Sequence, residues 1–199
     1  MNYFIKFLSI TSLIAVIFSS CNKSDDFDNE YYKEQQRLDS TLNAQKNVLK
    51  TYAEENFTTP ILDTATGIWW ELLEENENDA YTYNLAYAGF LYVVPPTVKV
   101  IFSGELLNGV QVEGGAEPVE KIVGGSQGLP LAWQYAFYPR TLPYDGISRT
   151  VGGFTPKGLK LGAKIQFVTS SVWAYDNVAK GNIPADSPLH YTIEVTEIK

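Results

Sequence analysis

Among 199 residues there is one cysteine, one histidine and one methionine. A lone thiol cannot close an internal disulfide, so no covalent staple is available to the fold. A lone imidazole, His190, leaves no Ser/His/Asp set to assemble for nucleophilic catalysis and no histidine pair for a metal. Phosphate loops are missing as well, because Gly152-Gly153 has neither the lysine nor the spacing that such a loop needs. Basic residues are outnumbered, 15 Lys and Arg against 23 Asp and Glu, for a net charge of -8. That charge repels nucleic acid and anionic headgroups instead of steering toward them.

Long apolar runs are also scarce, and the one present lies at the start of the chain. Lys6 precedes an uncharged, mainly apolar run from Phe7 to Phe18, then Ser19, Ser20 and Cys21. The run is too short for a spanning helix and reads as a secretory signal over residues 1–20. Phe18, Ser19, Ser20 and Cys21 fit the bacterial lipobox, in which the cysteine is acylated and becomes the new N-terminus. The expectation is a lipid-anchored envelope protein held to a membrane, an outer membrane for preference, through Cys21. Stable attachment takes more than one acyl chain. Lys23, Ser24, Asp25 and Asp26, in a tether over 21–29, resemble signals that send some lipoproteins to the cell surface.

Residues 30–60 follow as an N-terminal helix, free of Gly and of Pro until Pro60, with Leu38, Leu42, Leu49 and Tyr52 forming a narrow apolar stripe. From Gly67 the pattern turns to β. Ile68–Leu73, Val98–Leu107, Lys164–Thr169 and Leu189–Ile198 read as strands, and Asn108-Gly109 before Val110 marks a hairpin. In the last strand Leu189, Tyr191, Ile193 and Val195 share one face, which puts His190 on the other, expected to be solvated. Pro156 to Leu161, with Gly162 behind it, reads as one short helix. A sheet wrapped on a helix is α+β. Glu74, Glu75, Glu77 and Asp79, interleaved with asparagines, read as a solvated loop.

The last forty residues carry a pattern. Gly158-Leu159, Gly162, the strand from Lys164, Trp173-Ala174-Tyr175, Gly181-Asn182-Ile183-Pro184, then Ser187, Leu189, Tyr191 and Glu194 resemble the C-terminal half of the FKBP-type peptidyl-prolyl isomerases. Val98, Val100, Phe102, Gly104, Leu106, Asn108 and Gly109 are similar to that family's earlier strand and hairpin. The resemblance implies a half-open antiparallel sheet wrapped around one short helix over residues 61–199, with an apolar ligand cradle between helix and sheet. It also implies proline-containing segments of exported proteins as substrates, and no cofactor or metal.

Carried over residue by residue, the resemblance places Tyr175 on a tyrosine that bonds a substrate carbonyl, and Glu113 on an aspartate. Ile183 falls on the pocket isoleucine and Tyr191 on a phenylalanine. Phe102 replaces a tyrosine, Val112 an aromatic, and Phe154, preceded by Val151, stands where a tryptophan forms the pocket floor. Asp176 takes a glycine's place after Tyr175, at a turn needing positive φ. Between Glu113 and Val151 lie thirty-seven residues, longer than the family uses, so an insert is expected at about 114–150. Trp133, inside it, is the rival for the floor.

Overall fold

The computed structural model describes residues 24–75, 80–125 and 128–199. The expected leader, Cys21 and most of the Glu74–Asp79 acidic stretch lie outside the described residues. In chain order the elements are α1 (Ser24–Asn56), β1 (Ile61–Leu62), β2 (Trp69–Glu74), β3 (Leu85–Tyr87), β4 (Leu91–Val93), β5 (Thr97–Leu106), β6 (Gln111–Ile122), α2 (Leu131–Phe137), β7 (Thr141–Tyr144), β8 (Ile147–Thr150), β9 (Lys164–Thr169), a 3-10 turn (Ser171–Trp173) and β10 (Leu189–Ile198). No helix among the described residues is long and apolar enough to cross a membrane.

Compactness divides the chain at Ser40. In the first unit the helix is mostly exposed and polar from Asn29 on, with Arg37 Nη2 paired to Glu34 Oε1 one turn away at 2.6 Å. Helix is described from Ser24, inside the stretch expected to be tether, and it ends at Asn56, short of the expected residue 60.

The second unit, Thr41–Lys199, is built on a six-stranded antiparallel sheet of order β1-β2-β9-β10-β5-β6. Alternation along the strands assigns its two faces. Val98, Val100, Phe102, Ile165, Phe167, Leu189, Tyr191, Ile193 and Val195 point inward and meet Ala132, Trp133, Ala136 and Phe137 of α2. On the outer face Val168 receives Leu49, Ala53 and Phe57 from the last turns of α1 and just beyond it. The stripe that packs is therefore Leu49, Tyr52, Ala53 and Phe57. His190 is not solvated: it sits between Tyr52 (5.5 Å between ring centroids) and Phe57 (5.6 Å). A strand pattern shows which residues share a face, but not that a distant helix will cover it.

At the junction Glu71 is 4 % exposed yet fully used. It accepts from the Thr59 amide (2.7 Å) and hydroxyl (2.9 Å), the Thr58 amide (3.2 Å) and Gln166 Nε2 (2.6 Å). A buried carboxylate is tolerated when its lone pairs are satisfied in this way.

Two expectations are corrected here. Pro156–Leu161 is not a helix. Gly158 takes φ +73, and a Cβ there would lie 2.5 Å from the Phe137 carbonyl oxygen. The segment is a tight crossing over the end of α2, sealed by Leu159 N donating to Phe137 O at 2.9 Å. The sheet's helix is α2 instead, so the expected insert at 114–150 is not one piece. Its first part extends β6 to Ile122 and its middle is the helix. Its last part is a hairpin, β7–β8, turned by Asp145 and Gly146, both at positive φ. Pro130 opens α2 and Pro139 ends it by holding Tyr138 extended, with ψ 149°.

Candidate active site

Three neighbouring strands and one loop bring the site together. Tyr191 on β10 pairs with Gly104 on β5, and Gly104 pairs with Glu113 on β6, so the three lie in one row across the sheet. Next to that row the β5–β6 register slips by one residue, leaving Val112 as a bulge. The extra residue lets both Val112 and Glu113 reach the inner side, since a bulge suspends the usual alternation. Glu113 then accepts from the Tyr191 hydroxyl at 2.8 Å and, through its other oxygen, from the Tyr175 hydroxyl. Burial first, and then the Glu113 carboxylate, push both phenols well above the usual tyrosine range. Both remain protonated donors.

Tyr175 arrives from the loop after β9. Ser170 caps the 3-10 turn by accepting from Val172 N at 3.3 Å, and Asp176, at φ 52 as the sequence required, returns its amide to Ser171 O at 2.7 Å. Gln45 of α1 braces this loop from outside. Its Oε1 accepts from Ser170 Oγ (2.7 Å) and Ser171 N (2.9 Å), and its Nε2 donates to Asp186 O at 2.9 Å. Lys180 lies over the Tyr175 ring, 4.0 Å from its centroid, and donates to Gly128 O at 2.9 Å. A cation over the face stabilises the ring where it stands.

Trp133, in the first turn of α2, packs beneath the Phe102 and Tyr191 rings. Phe102 (5.0 Å, 84°) and Tyr191 (5.9 Å, 80°) meet it edge-on, and Phe137 stacks on it (6.0 Å, 15°). It is 1 % exposed, and its indole N–H has no acceptor among the described residues. Phe154, the residue expected at the floor, meets other rings. It stacks on Trp70 at 5.6 Å and touches Phe167, which separates it from Tyr191. Val151 lies on the outward side of α2, beside Tyr135 and Tyr138. The structure thus joins Tyr175, Glu113 and Tyr191 by hydrogen bonds and sets Phe102 and Tyr191 against Trp133. Val112, Val151, Phe154 and Ile183 all pack in or against the same core, Phe154 on the Trp70 side of Phe167 and Val151 beside Tyr135 and Tyr138.

Sequence reasoning passed over Gly104 as a site residue and ranked Trp133 second. The signals were present. Gly104 is the one residue without a side chain in an otherwise alternating strand. Ala132, Trp133, Ala136 and Phe137 repeat at helical spacing between two prolines.

No protein-family model matches the sequence, and no curated protein matches it. Solved structures do match. FkpA from Escherichia coli superposes with a TM-score of 0.52 at 15% identity, covering 100% of this chain and 83% of its own. A peptidyl-prolyl cis-trans isomerase from Pseudomonas syringae pv. tomato DC3000 gives 0.50 at 16% identity, covering 79% of this chain and 96% of its own. At such identities the likeness concerns the fold. The chain has an FKBP-like α+β fold, the architecture its sequence pattern implied.

Proposed function

We propose that this protein is a peptidyl-prolyl cis-trans isomerase of the cell envelope, anchored by lipid on Cys21, that speeds X-Pro rotation during the folding of exported proteins. The observation that carries the reading is the convergence of Tyr175, Glu113 and Tyr191 above the Trp133 floor, walled by Phe102, within an FKBP-like fold. X-Pro rotation is slow because twisting the amide breaks its resonance, and it needs no nucleophile, metal or cofactor. A site that binds the twisted amide better than either planar form accelerates the exchange about tenfold for each ~1.4 kcal/mol of preference. An apolar cradle does this, because the twisted amide is less dipolar than the planar one.

Glu113 has two donors, which gives each tyrosine a separate task. When a peptide carbonyl enters, Tyr175 turns its hydroxyl from Glu113 to the substrate. Tyr191 keeps its bond and holds the carboxylate in place. The test is cis/trans exchange of a proline tetrapeptide, followed by NMR exchange spectroscopy with several residues before the proline. Exchange at the uncatalysed rate with micromolar protein for all of them overturns the reading.

A second reading, a non-catalytic FKBP-like module for an envelope peptide or protein, draws on two observations. Trp133 is covered by Phe102 and Tyr191, and the Tyr175 hydroxyl already donates its hydrogen bond to Glu113. A stable stoichiometric partner captured by crosslinking, together with background exchange rates, is the outcome that selects it.

A further inference from the structure

The face of α2 turned away from Trp133 borders an open groove of about 670 Å3, floored by Leu131, Gln134, Tyr135 and Tyr138. One wall is the run Phe90, Leu91, Tyr92 and Val93, and the other is Arg149, Thr150 and Val151. Side chains alternate across a strand. A strand that lines a groove with successive residues therefore turns its edge toward it. β4 pairs only with β3, and β8 only with β7, among the described residues. Each keeps one edge whose N–H and C=O groups have no strand partner, the arrangement that accepts an added strand.

The side chains specify what that strand carries. Phe90 is 68 % exposed and its ring lies 5.9 Å from that of Tyr92, so aromatic surface is held open to solvent at the rim. Arg149 is the one cation in the lining, no acidic residue lines the groove, and no described acid forms an ion pair with it. In a chain of net charge -8 an unpaired guanidinium on the wall facing those rings favours a carboxylate as its partner. A small apolar ligand would use the rings and leave both strand edges and the guanidinium unmet.

We propose that this groove binds an extended segment of another polypeptide as an added strand, its apolar or aromatic side chains entering over Tyr135 and Tyr138 and an Asp or Glu meeting Arg149. The site stands on the opposite side of α2 from the cradle and does not depend on isomerase activity. The probe is a short, fluorescein-labelled, proline-free peptide alternating Thr with Val, Phe and Tyr and carrying one Glu. It is titrated into the full protein by anisotropy, with amide hydrogen exchange read on β4 and β8.

Saturable binding is expected, with exchange slowed along Leu91–Val93 or Ile147–Thr150. The double variant Phe90→Ser/Tyr92→Ser should weaken it about tenfold. Arg149→Glu should reverse the preference, favouring a peptide with Lys in place of Glu. Both changes lie on exposed positions, and isomerase activity measured alongside should be unaltered by either. The proposal is overturned by absence of binding, by binding that neither variant changes, by binding without protection of either edge, or by sedimentation showing that a second copy of the chain fills the groove.

Discussion

Tyr191 and Glu113 hydrogen-bond at 2.8 Å directly over Gly104, which lies between them on the middle strand. The contact exists because the middle residue has no side chain. A Cβ at Gly104 would stand 2.8 Å from Tyr191 Cε1 and 3.2 Å from Glu113 Cβ. Both neighbours are held, Tyr191 by its buried ring and Glu113 by two donors. Gly104→Ala should therefore destabilise the protein by about 1–3 kcal/mol, the usual cost of overfilling a packed core. Chemical denaturation measures it. An unchanged midpoint would mean the row has slack that the geometry does not show.

Tyr175→Phe removes one of the two donors to Glu113 and the hydroxyl proposed to meet the substrate. A hydrogen bond of this kind contributes about 0.5–1.5 kcal/mol, so kcat/KM should fall roughly two- to tenfold while the fold survives. Tyr191→Phe should act differently. Its ring is fully buried, and the lost hydroxyl leaves Glu113 held only by Tyr175, so stability should fall along with activity. Equal loss of activity in both variants with no change in the stability of either would contradict the division of tasks.

Much of this was legible in the sequence. The strands at Lys164–Thr169 and Leu189–Ile198 were, because period-two alternation and a Pro/Gly frame make few alternatives possible. The FKBP-like fold was legible from ordered blocks, and the resemblance also named Tyr175, Glu113 and Tyr191, which hydrogen-bond to one another in the structure. The helix was not. Proline with a glycine behind it can mark a helix or a tight crossing, and only the Phe137 carbonyl lying under Gly158 decides for the crossing. Reading that segment as the helix is what set Phe154 at the helix start, a place that Trp133 holds on α2.

The same distinction gives a mutational test. Trp133→Ala should cost about 3–5 kcal/mol, the range for truncating a buried aromatic, and Phe154→Ala a similar amount. Only the first should abolish catalysis under conditions where each variant is still folded by circular dichroism, because only Trp133 touches Phe102 and Tyr191 together. The reverse ranking would return the floor to Phe154.

Gln45 links α1 to the candidate site. It closes four hydrogen bonds to the loop that presents Tyr175. Gln45→Ala should raise KM more than it lowers kcat, with the Tyr175 loop exchanging its amides faster. Gln45→Glu should not rescue, since it cannot donate to Asp186 O. Normal kinetics in Gln45→Ala would make the brace dispensable.

Anchoring is tested at Cys21. Cys21→Ser should release the protein from membranes into the soluble fraction, and retention would reveal another attachment. Protease accessibility in whole cells then reads whether Lys23 to Asp26 directs display at the surface.

The α1–sheet contact should respond to acid in two separable steps. His190 Nδ1 faces the Tyr52 hydroxyl at 3.2 Å and Glu105 at 4.0 Å, and Nε2 faces Gln166 Oε1 at 3.3 Å. Burial lowers the His190 pKa below 6.5, and Glu105 offsets part of that shift. A histidine whose folded pKa is depressed is favoured neutral in the fold. As pH falls through 6.5 the unfolded chain takes the proton first, so stability declines from there to the folded value and then levels. Glu71 behaves in the same sense but lower. Burial raises its pKa, yet the hydrogen bonds from Gln166, Thr59 and Thr58 outweigh it and leave a net lowering from 4.5. Its contribution is present above 4.5 and is lost as pH falls through the folded value. Urea denaturation across pH 4 to 8 should therefore show a first decline beginning near 6.5 that His190→Gln removes, and a second below 4.5 that it does not. A stability curve flat between pH 7 and 5 in the wild type would show that His190 is free to take its proton in the fold.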